Sequence, residues 1–265
     1  MERFIEVDGI RTRYFEEGKG PALILLHGIS LGSSADVWEG DLDVFARAGF
    51  RVLAYDQPGF GLTETTDLTE AFQYEFALKF MDALGIARAS LIGHSYSGQI
   101  VVRLAIERES RVSRIVVVAT GSLLPPLPGE EPLRERDRPD APPTRESVRR
   151  LLESQLFNHS VITPNVLERR YRMSVGKNFE AFLERRSIRA RETEIIPLGR
   201  RLKEVPVPLI MLYGTHDRKG TAEKCALLRE KEPALRTELI QNAGHLLMWD
   251  VRGIFHQKVV DFLSP

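Results

Sequence analysis

Three residue types that together perform acyl-transfer chemistry stand at separate points of this chain. A serine lies in Gly93-His94-Ser95-Tyr96-Ser97-Gly98, an aspartate in Gly214-Thr215-His216-Asp217, and a histidine in Gly244-His245. The serine segment follows an apolar run, Ala89 to Ile92, and precedes a helix-like stretch, Gln99 to Arg108. Strand, tight turn and helix in that order hold a hydroxyl clear of both elements. The helix N-terminus beside it favours developing negative charge. Such a turn needs small residues two positions either side of the serine, because strand and helix pack closely. Gly93 meets that need, and Ser97 stands where a second glycine is usual. An aspartate at a strand end accepts from a histidine ring and fixes its tautomer. A histidine on a glycine-flanked loop after the last strand can then take the serine proton. The expected roles are nucleophile for Ser95, orienting acid for Asp217 and base for His245.

Rivals for each role are weaker. Asp56 also ends a strand, but it opens Asp56-Gln57-Pro58-Gly59-Phe60-Gly61, where a tight turn uses it. His94 adjoins the serine, yet adjacent side chains diverge at a sharp turn, so it is read as support for the elbow. His159, His216 and His256 are read as structural or solvated. On the opposite side, His27-Gly28-Ile29-Ser30 ends the run Ala22 to Leu26. The backbone N–H of Ile29 there, with that of Tyr96, would form a two-donor oxyanion hole.

The elements that must position these groups alternate. Apolar runs occur at Ala22–Leu26, Arg51–Tyr55, Ala89–Ile92, Ile115–Ala119 and Leu209–Tyr213, with a further strand-like stretch at Thr237–Ile240. Continuous apolar strands are those buried on both faces. Helical patterns such as Phe72–Leu84 and Gln99–Arg108 lie between them, and Ile254–Leu263 forms a last helix. Phe4–Val7 and Arg11–Phe15 read as a hairpin turned at Asp8-Gly9. The expected fold is α/β, a mainly parallel sheet with helices on both faces. Alternation breaks after Ala119. Gly121 to Pro143 is rich in proline and charge and is not regular helix. Helices are then predicted from Thr144, a cap with Val148, Leu151, Leu152 and Leu156 on one face, and from Thr163-Pro164. A third is predicted over Phe179–Arg191. The domain reading is a core of residues 1–121 and 204–265 and a helical cap of residues 122–203, lying over the carboxyl edge where such sheets bind ligands.

Composition narrows the partners. Among 265 residues, 37 basic balance 37 acidic side chains, which argues against a nucleic-acid binder held by net charge. One cysteine, Cys225, excludes an internal disulfide, and no Cys/His cluster has metal-ligand spacing. No apolar run approaches the ~20 residues of a membrane helix. The opening Met1-Glu-Arg-Phe-Ile-Glu lacks a signal-peptide core. The expectation is a cytoplasmic protein acting on a small molecule, without membrane partner, metal or cofactor; a homo-oligomer stays open.

The chain order Ser95, Asp217, His245 and the motifs His27-Gly28, Asp56 to Gly61, Gly93 to Gly98, Gly214 to Asp217 and Gly244-His245 resemble the α/β-hydrolase superfamily over essentially the full length. Serine at the elbow sets the chain apart from haloalkane dehalogenases and related epoxide hydrolases, which use aspartate there. The stretch Pro143 to Leu152, continuing at Leu167 to Tyr171, resembles the cap of meta-cleavage product hydrolases. These cleave carbon–carbon bonds in vinylogous diketones from aromatic-ring degradation. The resemblance implies that Arg170 grips a substrate carboxylate, a role suited to a planar guanidinium, with Arg169 and Arg172 as the next candidates. It also implies ketonisation by proton transfer before bond cleavage. The chain departs from that pattern at Ile29-Ser30-Leu31-Gly32 in place of a glycine-rich loop. It departs again at His94 in place of asparagine and Leu246 in place of tryptophan. Ser30, His94 and Leu246 are thereby marked as pocket positions. Two other activities remain open: a carboxylesterase, thioesterase or amide hydrolase with the same machinery, and a ligand-binding receptor on the same fold. Whether Ser95 attacks directly or supports attack by water is also open.

Overall fold

A computed structural model describes residues 2–130, 141–191 and 198–264. Eight strands form one sheet in the order β1-β2-β4-β3-β5-β6-β7-β8. They are β1 (Glu2–Val7), β2 (Ile10–Glu17), β3 (Ala22–Leu26), β4 (Arg51–Tyr55), β5 (Ala89–His94), β6 (Val112–Val118), β7 (Leu209–Gly214) and β8 (Arg236–Ile240). The hairpin β1–β2 and the β2–β4 pair are antiparallel; every other pairing is parallel.

Period-two alternation divides the apolar strands between two core layers. Ile24, Leu26, Ile115, Val117, Met211 and Tyr213 enter one layer with residues of α2 (Glu70–Ala83), α3 (Ser97–Glu107) and α7 (Thr221–Lys231). Leu23, Leu25, Val116, Val118, Ile210 and Leu212 enter the other with α1 (Leu42–Arg47) and α9 (Arg252–Leu263). Both faces are covered, which is why these strands carry no polar alternation. The expected strands and helices are present with small changes at their ends. The sequence gives no clear sign of α1 or α7. The first contributes only Leu42 and Phe45 to the core, and the second only Thr221, Cys225 and Leu228, so their periodic signal is faint.

Between β6 and β7 lie α4 (Arg145–Glu153), α5 (Pro164–Arg172) and α6 (Lys177–Arg191). Thr144 and Ser147 form a reciprocal capping box on α4, and Thr163 caps α5 ahead of Pro164. Val148, Leu152 and Leu156 are buried as predicted, while Leu151 is only half-buried. Residues 131–140 of the proline- and charge-rich stretch, and 192–197, lie outside the described residues. The three helices touch loops that follow strand carboxyl ends. Ser174, just past α5, and Arg170 crowd Gly32 after β3. On α6, Asn178 donates to the carbonyl of Gly61 and Arg185 to that of Gly59, both after β4. Gln155, past α4, lies against Gly244 after β8. Asp56 serves its turn, as expected. It is buried, pairs with Arg13 at 2.7 Å, and accepts the N–H groups of Ala35 and Leu62. Among the described residues no helix is long and apolar enough to cross a membrane.

Candidate active site

Ser95 has a φ of +56°, a left-handed backbone rarely adopted by a residue with a side chain. The strain is held from both sides. The Ser95 N–H donates to the Val118 carbonyl at 2.7 Å, and α3 begins at Ser97. Close packing makes the flanking positions small: a Cβ on Gly93 would stand 2.4 Å from the Ser97 carbonyl, and one on Gly98 2.0 Å from Thr120 Oγ1. Ser97 is a working part of this turn. Its hydroxyl donates to the His27 carbonyl at 2.5 Å and accepts from Gln57 Nε2 at 3.1 Å, tying the elbow to the loop after β3.

The parallel order β3-β5-β6-β7-β8 brings the three chemistry-bearing loops to one sheet edge. Ser95 Oγ lies 2.9 Å from His245 Nε2, and His245 Nδ1 lies 2.9 Å from Asp217 Oδ1. The Asp217 side chain is 3% exposed. With Nδ1–H donated to the carboxylate, Nε2 is left to accept the serine proton. That is the arrangement by which an imidazole raises the nucleophilicity of a hydroxyl. The N–H of Ile29 makes no backbone hydrogen bond among the described residues. A Cβ on Gly28 would stand 2.9 Å from the Ser95 Cβ, so this loop runs directly against the elbow. Tyr96, next after the serine, leads into α3.

Two other histidines stay neutral around this set. His27 is fully buried; its Nδ1 bonds the Gly28 carbonyl and its Nε2 accepts the Gln57 N–H. Burial pushes its pKa down to about 3. His94 is also buried, and burial followed by the neighbouring His245 holds it well below the ordinary imidazole range. Its Nε2 donates to the His245 carbonyl at 2.9 Å. The structure thus sets His94 behind the histidine loop. Leu246 is 2% exposed and packs in the core layer shared with α9. Of the remaining histidines, His256 is buried against Asp41 Oδ1 at 2.7 Å, while His159 and His216 are exposed.

The Arg-rich helix α5 turns one guanidinium inward. Arg169 pairs with Glu39 and Arg172 with Glu168 on the outer side. Arg170 is 6% exposed, donates from Nη2 to Ser30 Oγ at 2.7 Å, and leaves Nε without a partner among the described residues. Burial lowers its pKa to about 10, with no acid among the described residues to offset the loss of water. Its charge is felt at both His94 and His27. A second cation was missed in the sequence. Arg185 on α6 is buried, donates to the Gly59 carbonyl at 2.5 Å and stacks over Phe60, 3.6 Å from the ring centre. The signal was present: Phe179, Phe182 and Arg185 follow one another every three residues, so a charge continues an apolar face. A cavity of about 360 Å³ lies between Gly32, Val37, Val166 and Trp249 and shares Arg170 with this site, but Ser95 and His245 do not line it. The reacting atoms, not that cavity, locate the site. No cluster of three or more metal-ligating side chains occurs among the described residues.

A family model for the alpha/beta hydrolase family matches residues 23–256. The chain belongs to the alpha/beta hydrolase family. The chain is similar to a 2-hydroxy-6-oxononadienedioate/2-hydroxy-6-oxononatrienedioate hydrolase of Burkholderia vietnamiensis, 27% identical over 96% of this chain and 91% of the relative. It is 28% identical to a 2-hydroxy-6-oxo-6-phenylhexa-2,4-dienoate hydrolase of Comamonas testosteroni, over 94% and 90% of the two chains. A solved serine hydrolase involved in carbazole degradation superposes with a TM-score of 0.82 at 23% identity, covering 100% of this chain and 98% of the other. That last likeness is one of fold. Within the hydrolase family, substrate choice therefore has to be argued from the site.

Proposed function

We propose that this chain is a serine hydrolase that cleaves a carbon–carbon bond in a vinylogous diketone of the 2-hydroxy-6-oxo-dienoate class. In this reading residues 1–121 and 204–265 are the catalytic core and residues 122–203 a cap that closes over the sheet edge. Ser95, His245 and Asp217 are the reacting set, with the N–H groups of Ile29 and Tyr96 as oxyanion hole. Proton transfer from the 2-hydroxyl to the carbon beside the 6-oxo group first gives a diketone, whose new 2-oxo group is conjugated through the remaining double bond to the carbon at the bond to be broken and can accept its electron pair. Ser95 Oγ, or a water activated by His245, adds to the distal carbonyl while His245 takes the proton. The carbon–carbon bond then breaks, its electron pair leaving as a stabilised enolate that is protonated. On the serine route water then hydrolyses the acyl-serine, and on the water route the acid is released directly, so either way one water is consumed and two products form. Asp217 holds the imidazole orientation throughout, and the two N–H donors meet charge where it develops.

The observation that carries the substrate class is Arg170. A guanidinium that is 6% exposed, without a carboxylate partner among the described residues, is costly to keep unless a ligand supplies the anion. It is aimed by Ser30 beside the oxyanion loop, where the carboxylate of such a dienoate would lie. The names of the two curated relatives agree with that class. His94 and Leu246 shape the site through His245 in this reading.

The test is a screen that sets ring-cleavage dienoates against simple aryl esters, with Ser95→Ala as the control. Rapid bleaching of a dienoate by the wild type, with slow ester turnover and neither by Ser95→Ala, is expected. Fast ester hydrolysis with every dienoate left intact would move the reading to a carboxylesterase. Stoichiometric binding without turnover of any substrate would favour a receptor.

A further inference from the structure

The histidine loop is gripped from three sides, and two of the grips lead to the helical segment. The His245 carbonyl accepts from His94 Nε2. The N–H of Leu246 donates to the Gln155 carbonyl at 3.0 Å. The N–H of Gly244 donates to Asp250 Oδ2 at 2.7 Å. The same Asp250 carboxylate accepts the N–H of Asn158 at 2.8 Å and that of Phe157 at 3.0 and 3.1 Å. Gln155, Phe157 and Asn158 belong to the stretch that leaves α4. The two loops also meet backbone to backbone: a Cβ on Gly244 would stand 2.7 Å from the Gln155 carbonyl.

Asp250 ends the short helix α8 (Leu247–Asp250), five residues beyond His245. One half-buried carboxylate thus gathers three main-chain N–H donors, two from the cap side and one from the residue before the base. Ionised carboxylates suit this task, since they offer several acceptor sites and strengthen each bond by charge. Among the described residues Asp250 makes no hydrogen bond to Ser95, His245 or Asp217; its partners are the N–H groups of Gly244, Phe157 and Asn158.

We infer that Asp250 is a positioning residue that couples the root of the cap to the base, so that one carboxylate sets both the seating of residues 155–158 and the place of the His245 ring. The inference rests on Ser95, His245 and Asp217 being the reacting set. A shift of the cap root is carried through Asp250 to Gly244 and through Gln155 to Leu246, the two neighbours of His245. A base moved by a fraction of an ångström lengthens its contact with Ser95 Oγ without altering substrate contacts.

The experiment uses the full chain with p-nitrophenyl acetate, a fluorophosphonate that labels Ser95, and the low-field proton resonance of His245 Nδ1–H bonded to Asp217. Asp250→Ala is expected to lower kcat by about 10- to 100-fold with KM nearly unchanged, and to slow labelling in parallel. Asp250→Asn keeps the volume and one acceptor oxygen, so it falls between the two; it also serves if Asp250→Ala does not fold. The low-field resonance should broaden or vanish in both variants. Wild-type labelling with an intact resonance in Asp250→Asn would overturn the inference, as would a loss confined to KM. A wild type that neither labels nor turns over would sink the serine-hydrolase reading; the resonance would then still decide the coupling, retained against it and lost for it.

Discussion

At the residue scale, chemistry at this site depends on which polar groups are paired. Ser95, His245 and Asp217 form a continuous hydrogen-bonded series with 2.9 Å at each step, the set proposed to relay the proton. Ser95→Ala and His245→Ala should each lower kcat by several orders of magnitude with the circular dichroism unchanged, since relay members act as a unit. Asp217→Asn should cost as much or somewhat less. Near-wild-type turnover by Ser95→Ala on a confirmed substrate would remove Ser95 from the chemistry. Arg170 has the opposite signature, a buried donor group without an acid among the described residues. Arg170→Ala should weaken kcat/KM on carboxylate-bearing substrates by about 1.5–3 kcal/mol for one charge-assisted contact. Neutral esters should change little, and Arg170→Lys should recover part of the loss because charge returns without the planar fork. Equal losses on neutral and anionic substrates would make Arg170 a packing residue.

At the scale of elements, the site depends on two loops held at short range. The loop after β3 runs so close to the elbow that a Cβ on Gly28 would stand 2.9 Å from the Ser95 Cβ and 3.1 Å from His94 Nδ1. Gly28→Ala must push that loop away, carrying the Ile29 N–H with it. A fall in kcat of about 10²-fold, the cost of one misplaced oxyanion donor, is expected, with KM for a small ester nearly constant. Unchanged kcat would place the oxyanion donors elsewhere. Helix α5 carries Arg170 and starts on Thr163, whose Oγ1 accepts the Val166 N–H at 3.3 Å. Thr163→Ala should lower stability by about 1 kcal/mol in urea unfolding, the ordinary worth of such a cap. No measurable change would mean that tertiary contacts alone hold this end of α5.

For the whole molecule, buried neutral imidazoles couple stability to acidity. His27 titrates near 6.5 when unfolded and is pushed down to about 3 when folded. Because the folded value is the lower one, the unfolded chain binds the extra proton between those limits. The contribution is fully present above pH 6.5 and is lost as pH falls toward 3. Its upper bound is about 5 kcal/mol, from about 1.4 kcal/mol for each pH unit in that window. His94 acts in the same direction. Urea midpoints measured from pH 7 to pH 4 should therefore fall less steeply in His27→Asn than in the wild type. Identical slopes would assign the acid limb to the carboxylates.

What the sequence by itself determined was the strands, the strongly patterned helices and the residues at their ends. Continuous apolar runs are unambiguous because strands covered on both faces tolerate no polar alternation, and the elbow is legible because a strained turn admits few residue types there. Faint helices such as α1 and α7 were not legible, since two or three core residues leave no period to read. Which of the neighbouring arginines faces inward was decided by tertiary structure. Arg169 and Arg172 find Glu39 and Glu168 on the outer side, and the register of α5 leaves Arg170 over Ser30. Arg185 and Asp250 escaped for the same reason. Asp250 looks like an ordinary surface charge in a string of letters, and Arg185 shows only as a charge continuing the apolar face of Phe179 and Phe182. Each acquires its place only when a distant loop, Gly59-Phe60 in one case and Phe157-Asn158 in the other, is packed against it. Contacts between residues far apart in the chain depend on how layers stack, and local spacing does not encode that stacking.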